Sequence, residues 1–159
     1  MPTAATTQAW VSTLPVPAEL VWRHATHFGG INGELYPLLR MTAPRGTTTL
    51  DPHSIVPGAR LFRSWLLLGG VLPVEYDDLT IAEIGAGRFL ERSRMLTSRV
   101  WEHERIVEEI DAGSCRLTDR VSFVPRWPAL RPVMMATVAF LFRHRHRRLA
   151  ERYRRPRAA

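Results

Sequence analysis

Between Ala59 and Val124, hydrophobic and polar residues alternate through five successive segments, "ARLFRSWLLLGG", "VEYDDLTIAEI", "RFLERSRML", "VWEHERIVEEI" and "CRLTDRVSFV". A period of two marks strands with one buried face. The separators "GGVLP", "GAG", "TSR" and "DAGS" have hairpin lengths, so the sheet is expected to be antiparallel and sequentially connected. Upstream, Thr6 to Leu14 predicts a first strand, and "PVPAELVW" a proline-marked helix start with Val21 and Trp22 pointing inward. "GGINGELYPLL" breaks that helix and allows a second short one, followed by a strand near Leu39 to Ala43. The segment "PRGTTTLDPHSIVPG" then argues against regular structure, and a loop of that length in a compact domain is usually functional or mobile. After "PRWPALRP" one long helix is predicted, apolar all round in its first half. A stripe through Met135, Val138, Phe142, Leu149 and Tyr153 continues into the second half, whose other faces are clothed in arginine and read as solvated. Strand, two short helices, a run of antiparallel strands and a long C-terminal helix make an α+β arrangement, with that helix free to lie across the sheet.

In "VWEHERIVEEI" the face carrying Trp101, His103, Arg105 and Val107 is the better interior candidate, because three of four residues on the other face are carboxylates. In "CRLTDRVSF" the same test selects Leu117, Asp119, Val121 and Phe123. A two-residue turn puts these rows on opposite sides of the sheet. A three-residue turn, Asp111-Ala112-Gly113 with the glycine left-handed, aligns them and pairs Val107 with Leu117, Arg105 with Asp119, His103 with Val121 and Trp101 with Phe123. An Arg105–Asp119 ion pair on the concave face is therefore expected, with His103 next in the row. Two readings stay open: a structural pair at a cavity wall, or hydrogen bonds from His103 and Arg105 to the polar end of an apolar ligand.

The 159 residues carry a formal charge of +7, which suggests nucleic acid until it is located. Met1 to Phe142 holds fourteen Arg and fourteen Asp or Glu, whereas Arg143 onward holds eight Arg and Glu151 alone. A phosphate-tracking protein spreads its cations over a face built from several elements, so nucleic acid is not the indicated partner. Peripheral contact of the Arg-rich helix end with anionic lipid is a secondary expectation, and the oligomeric state is open. A single cysteine excludes an internal disulfide, and the first residues lack the charged and apolar regions of a secretory signal, which makes the cytoplasm the default location. The longest apolar run, Val133 to Phe142, is about half of the ~20 residues that span a bilayer.

No metal site or cofactor is expected. His103-Glu104 has Val107 where a zinc-protease motif places its second histidine. His24 and His27 lack further ligands nearby. His144 and His146 lie roughly 200° apart on a helix. Cys115 is assigned to the outward parity of its strand, away from His103. "GAGRFL" precedes a strand and reads as a turn rather than a phosphate loop. The adjacent carboxylates Asp77-Asp78 and Glu108-Glu109 read as solvated edges.

Taken in succession, "PVPAELVW", "GGVLP", "RFLERSR" followed by "WEHERIV", "GSCRLTDRVSF" and "FRHRHRRL" resemble the START-like superfamily. This is the helix-grip fold of polyketide cyclases, birch-pollen-allergen-like and lipid-transfer proteins, often labelled SRPBCC. The resemblance covers nearly the whole chain and implies one ligand-binding domain over residues 1–155, with 156–159 a disordered tail. It implies a curved seven-stranded antiparallel sheet wrapped around the long C-terminal helix, with two short helices closing one end of a hydrophobic cavity. The matching positions are Trp101, His103 and Asp119, while Arg105 fills a slot that varies. No catalytic motif can be carried over, so no catalytic residue is assigned. The implied function is non-catalytic binding or carriage of a lipid, polyketide or similar molecule; the alternative is a cyclase or aromatase using His103 or Asp119 as base. The candidate ligand-binding residues are Trp65, Phe89, Trp101, His103, Arg105, Asp119 and Phe123 on the sheet, with Met134, Met135, Val138 and Phe142 on the helix.

Overall fold

The structure is a computed structural model and describes residues 4–154; the tail expected at 156–159 lies outside the described residues. Strand β1 (Thr6–Leu14) leads into helices α1 (Ala18–Ala25) and α2 (Phe28–Leu35) and the short β2 (Leu39–Met41). Strands β3 (Arg60–Leu68), β4 (Leu72–Gly85), β5 (Arg88–Met95), β6 (Ser98–Asp111) and β7 (Ser114–Pro125) follow. A single 3-10 turn, Pro128–Leu130, then opens α3 (Arg131–Arg152). The seven strands form one antiparallel sheet in the order β1-β7-β6-β5-β4-β3-β2. Register shifts in β3, β4 and β6 bend the long strands, as bulges do, and the sheet curls around α3 in a helix-grip fold.

The expected β6–β7 pairing is present: Val107 opposite Leu117, Arg105 opposite Asp119, His103 opposite Val121, Trp101 opposite Phe123. The turn that achieves it is different. Asp111 pairs directly with Ser114, and a bulge between Glu109 and Asp111 supplies the odd residue. Gly113 is not among the glycines with positive φ; its N–H instead donates to Asp111 Oδ1 at 2.8 Å. A two-residue turn plus a bulge has the same parity as a three-residue turn. The "GAGRFL" turn does use a left-handed glycine, Gly87 at φ +72°, where a Cβ would lie 2.6 Å from the Val107 carbonyl oxygen.

Two other expectations fail on parity. Cys115 shares the inward face of β7 with Leu117 and is fully buried with Leu14, Val21 and Leu149. Burial pushes its thiol upward, and it lies six residues along the strand from Val121, the partner of His103, so no Cys–His pair forms. Asp77 points inward and is buried, while Asp78 faces out and receives two hydrogen bonds from Arg63 at 2.8 and 2.9 Å.

The apolar interior has three parts. One joins α1 to the Val107 end of β6 and to Leu149; a second packs Phe28 against Leu50, Leu79 and Ile81; a third sets Val138 and Phe142 of α3 on Val121 and Phe123. Leu50 and Ile55 anchor the irregular 44–58 segment to the second part. On α3 the buried stripe runs through Val138, Phe142, Arg145 and Leu149, with Met134 packed at its start. Met135 is turned outward. The helix end is also less solvated than its composition suggests, since His144, Arg145 and His146 are all buried.

Candidate functional site

A buried polar layer separates these apolar parts, centred on Arg105. Its Nε and Nη2 donate to the two oxygens of Asp119 at 2.8 and 2.7 Å. Its Nη1 and Nη2 donate to the two oxygens of Glu34 at 2.8 and 2.9 Å. Glu34 reaches this point because α2 crosses α1 closely at Gly30, where a Cβ would overlap the His24 carbonyl. Arg145 Nε donates to Glu34 Oε2 at 2.9 Å, tying α3 to the same carboxylate. Burial opposes ionisation of Glu34 and Asp119. Arg105 outweighs it for both, with Arg145 helping on Glu34, and both carboxyls are held below the usual range, Asp119 well below.

Asp119 also orients two imidazoles. His103 Nε2 lies 2.7 Å from Oδ1 and His146 Nε2 lies 2.9 Å from Oδ2. A carboxylate only accepts, so both rings donate through Nε2. In its neutral form His146 then accepts at Nδ1 from the Ser12 hydroxyl, 2.7 Å away. Neutral His103 keeps an Nδ1 lone pair, which faces Glu91 Oε2 across 3.7 Å.

Above this layer, between the sheet and α3, is a cavity of about 80 Å³. Its wall is largely apolar, with Phe28, Leu50, Leu66, Leu79, Ile81, Phe89, Met95, Trp101, Leu141 and Phe142 among its residues, and its charged or titratable members are Asp77, Glu91, His103 and Arg145. Arg145 is committed to Glu34. The buried oxygens Asp77 Oδ1 and Glu91 Oε1 have no donor. The two carboxyls interact across the inner face of β4 and β5: burial first, then the Glu91 charge, pushes Asp77 well above the aspartate range. A proton held by Asp77 and directed at Glu91 accounts for both observations. A polar hollow of about 250 Å³ also lies against Glu34, bordered by His24, Arg148, Glu151 and Arg152 at the helix ends; it offers little to an apolar molecule.

The raised Asp77 proton affinity has a testable consequence. Its stabilising contribution is fully present below the ordinary aspartate value of 3.8 and is lost as pH rises through the higher folded-state value. Asn imitates the protonated form, so Asp77→Asn is expected to gain stability over the wild type progressively from pH 4 to pH 8. Thermal melts across that range check it, and a difference that does not change with pH would contradict it.

Among the sequence-selected residues, Phe89, Trp101, His103 and Phe142 line the cavity. Arg105 and Asp119 lie beneath it in the polar layer, and Phe123 stacks behind Trp101 with ring centroids 6.3 Å apart. Met134 and Val138 pack in the core beside Phe142. Trp65 is outside: it is on the outer face of β3, 42% exposed, against Tyr76. Met135 is also outside, its carbonyl accepting from the Gln8 amide. Glu34, Glu91 and Arg145 join the site, as do Asp77, expected at a solvated edge, and His146, weighed only as a metal ligand. Among the described residues, no group of His, Cys, Asp or Glu is arranged to hold a metal ion. Neither is any helix long and apolar enough to cross a membrane.

Residues 12–153 match the family model described as a domain of unknown function, DUF8410. The chain belongs to this family. No curated protein matches the sequence. Solved structures match the fold closely at low identity. A START superfamily protein from Mycobacterium smegmatis aligns at TM-score 0.66 and 10% identity, over 92% of this chain and 96% of its own. The ZhuI aromatase/cyclase from Streptomyces sp. R1128 aligns at 0.68 and 14%, over 98% of each. Protein CV1439 from Chromobacterium violaceum aligns at 0.68 and 13%, over 94% and 98%. This family member therefore has a START-like fold.

Proposed function

We propose that the protein binds a largely apolar small molecule between sheet and α3, with the polar end of the ligand at Glu91 and His103. The observation that carries this reading is the composition of the cavity wall, apolar apart from a few convergent polar groups, which is the usual make-up of small-molecule sites. With Asp77 donating to Glu91, and the neutral His103 ring donating through Nε2 to Asp119, the valences left facing the cavity are acceptors. The matching ligand end is therefore a hydrogen-bond donor, a hydroxyl or an amine. The cavity of about 80 Å³ is well below the roughly 300–1,000 Å³ of drug-sized sites. A lipid- or polyketide-sized molecule therefore needs the cavity to widen.

Titration with 2-naphthol, naphthalene and 2-naphthoate, followed by Trp101 emission in a variant lacking the other tryptophans, tests the reading. Naphthol is expected to bind saturably and more tightly than the other two, and Glu91→Gln to weaken naphthol at least about tenfold while leaving naphthalene unchanged. Failure of all three to bind would overturn it.

A second reading, an aromatase/cyclase-like enzyme, is favoured by one observation: a proton-sharing carboxyl pair beside a histidine is an acid–base set. Its base is Glu91 or His103 rather than Asp119, which Arg105 makes a weak base and which lies below the cavity. Turnover of a bound poly-β-ketone, absent in Glu91→Gln, separates this reading from simple binding.

A further inference from the structure

The β3–β4 hairpin is apolar where a soluble hairpin is ordinarily polar. From Leu66 to Val74 the sequence is "LLLGGVLPV", without one charged residue. Gly69 and Gly70 at φ +60° and +81° turn the chain, and the side chains around them project into solvent: Val71 is 81% exposed and Leu72 56%, with Leu68 and Val74 also exposed. Nothing in the fold needs them there. Backbone satisfaction at the tip is internal, Gly70 N–H to Leu67 O at 3.1 Å and Val71 N–H to Leu68 O at 3.2 Å. The tip is thus a protruding apolar knob at the end of the paired strands β2, β3 and β4.

Its surroundings are basic. Gly69 N–H donates to Leu38 O at 2.9 Å, which fixes the tip beside exposed Tyr36. Arg40 is opposite Leu67 on the edge strand β2. From α3, the Arg148 guanidinium lies 5.6 Å from the Tyr36 ring centroid, and Arg147 contacts His144, whose Nε2 meets the Tyr36 carbonyl. None of these three arginines has a carboxylate partner among the described residues. Between Leu35 and Val74 the sequence has four Arg and a single acid, Asp51.

We infer that this hairpin is a membrane-docking element, which inserts Leu68, Val71 and Leu72 among the acyl chains of an anionic bilayer while Tyr36 and the three arginines sit at headgroup level. An apolar projection ringed by an aromatic and uncompensated cations matches the depth profile of such a surface, apolar inside and anionic outside. A second copy of this chain would meet the same arginines with like charge. The strands that carry the hairpin also reach the cavity, through Leu66 of β3 and Leu79 and Ile81 of β4, so docking places the cavity next to the bilayer.

Co-sedimentation with vesicles of phosphatidylcholine, alone or with about one-third phosphatidylserine, tests the inference. The wild type is expected to bind the anionic vesicles, less so as salt is raised, and to bind the neutral ones at least about tenfold more weakly. Val71→Asp with Leu72→Asp should reduce anionic binding at least about tenfold without changing the melting temperature, both side chains being exposed. Arg40→Gln with Arg147→Gln should weaken the anionic vesicles alone. A Val71→Trp variant should shift its emission to the blue on vesicle addition. Absence of binding to anionic vesicles, unchanged binding by the Asp variant, or a wild-type dimer in the ultracentrifuge that this variant dissociates would each overturn it. Naphthol binding without vesicles is unaffected in every case, so the two readings fail separately.

Discussion

Replacing Arg105 by Met should destabilise the protein by about 3–5 kcal/mol, the cost of leaving a buried ion-pair partner uncompensated. For a chain of this size that is a fall in melting temperature of roughly 6–20 °C. The cause is the two carboxylates left behind. Glu34 and Asp119 are both buried, and both owe their depressed proton affinity chiefly to Arg105. Without the guanidinium, Asp119 retains only His103 and His146, and Glu34 retains Arg145. A triple variant, Arg105→Met with Glu34→Gln and Asp119→Asn, removes the charges as well as their partner and should recover at least half of the loss. Melts by circular dichroism decide it. A single variant that loses less than about 1 kcal/mol, or a triple variant no better than the single, would show that Arg105 is not the hub of the layer.

Much of this layer was readable from strand parity. The alternation in "VWEHERIVEEI" and "CRLTDRVSF" located Arg105, Asp119 and His103 on one face, and matching the two faces set the register even though the turn that delivers it differs. The same alternation was available elsewhere. Glu91 shares parity with Phe89, and Asp77 with Leu79 and Ile81, so both carboxyls were as legible as Arg105. Adjacency of Asp77 to Asp78 disguised this, because neighbouring strand residues face opposite ways and only one of the two was ever a surface residue. Arg145 lies three residues after Phe142 and four before Leu149, on the very stripe that defined α3, but arginine composition drew that half of the helix toward solvent. Glu34 is a different case. Its burial depends on α2 crossing α1 at Gly30 and meeting β6 seventy-one residues away, and no local period encodes a crossing. Trp65 shows the reverse error, since large aromatic residues often pack on the outer face of a sheet.

The division between layer and cavity bears on what the site can do. Arg105, Asp119 and Glu34 satisfy one another and connect α2, β6, β7 and α3, which is a structural duty. Glu91, and His103 Nδ1 in the neutral ring, face the cavity with acceptor valences to spare, which is the state a ligand's donor resolves. Asp119 links the two sets by fixing the His103 ring, so Asp119→Asn should perturb ligand binding as well as stability.

Phe142 closes the cavity from the helix side, and Phe142→Ala should cost about 3–5 kcal/mol. Its ring stacks on Trp10 with centroids 4.8 Å apart, meets His103 edge-on at 5.1 Å, and lies under the Arg145 guanidinium at 4.9 Å. Those neighbours come from β1, β6 and α3 itself and are held by the sheet and the polar layer, so they have little freedom to collapse into the space. Truncation should therefore enlarge the existing cavity of about 80 Å³ toward the ~150 Å³ that accommodates benzene in an apolar core. Benzene added to the variant should restore stability by mass action, about 2.7 kcal/mol at a hundredfold excess over its dissociation constant, while changing the wild type much less. Val21→Ala, which opens a smaller gap in the separate core beneath α1, should lose less stability and show no recovery with benzene. If benzene rescues neither variant, the space beside Phe142 is not continuous with the cavity, and the ligand-site reading loses its physical basis.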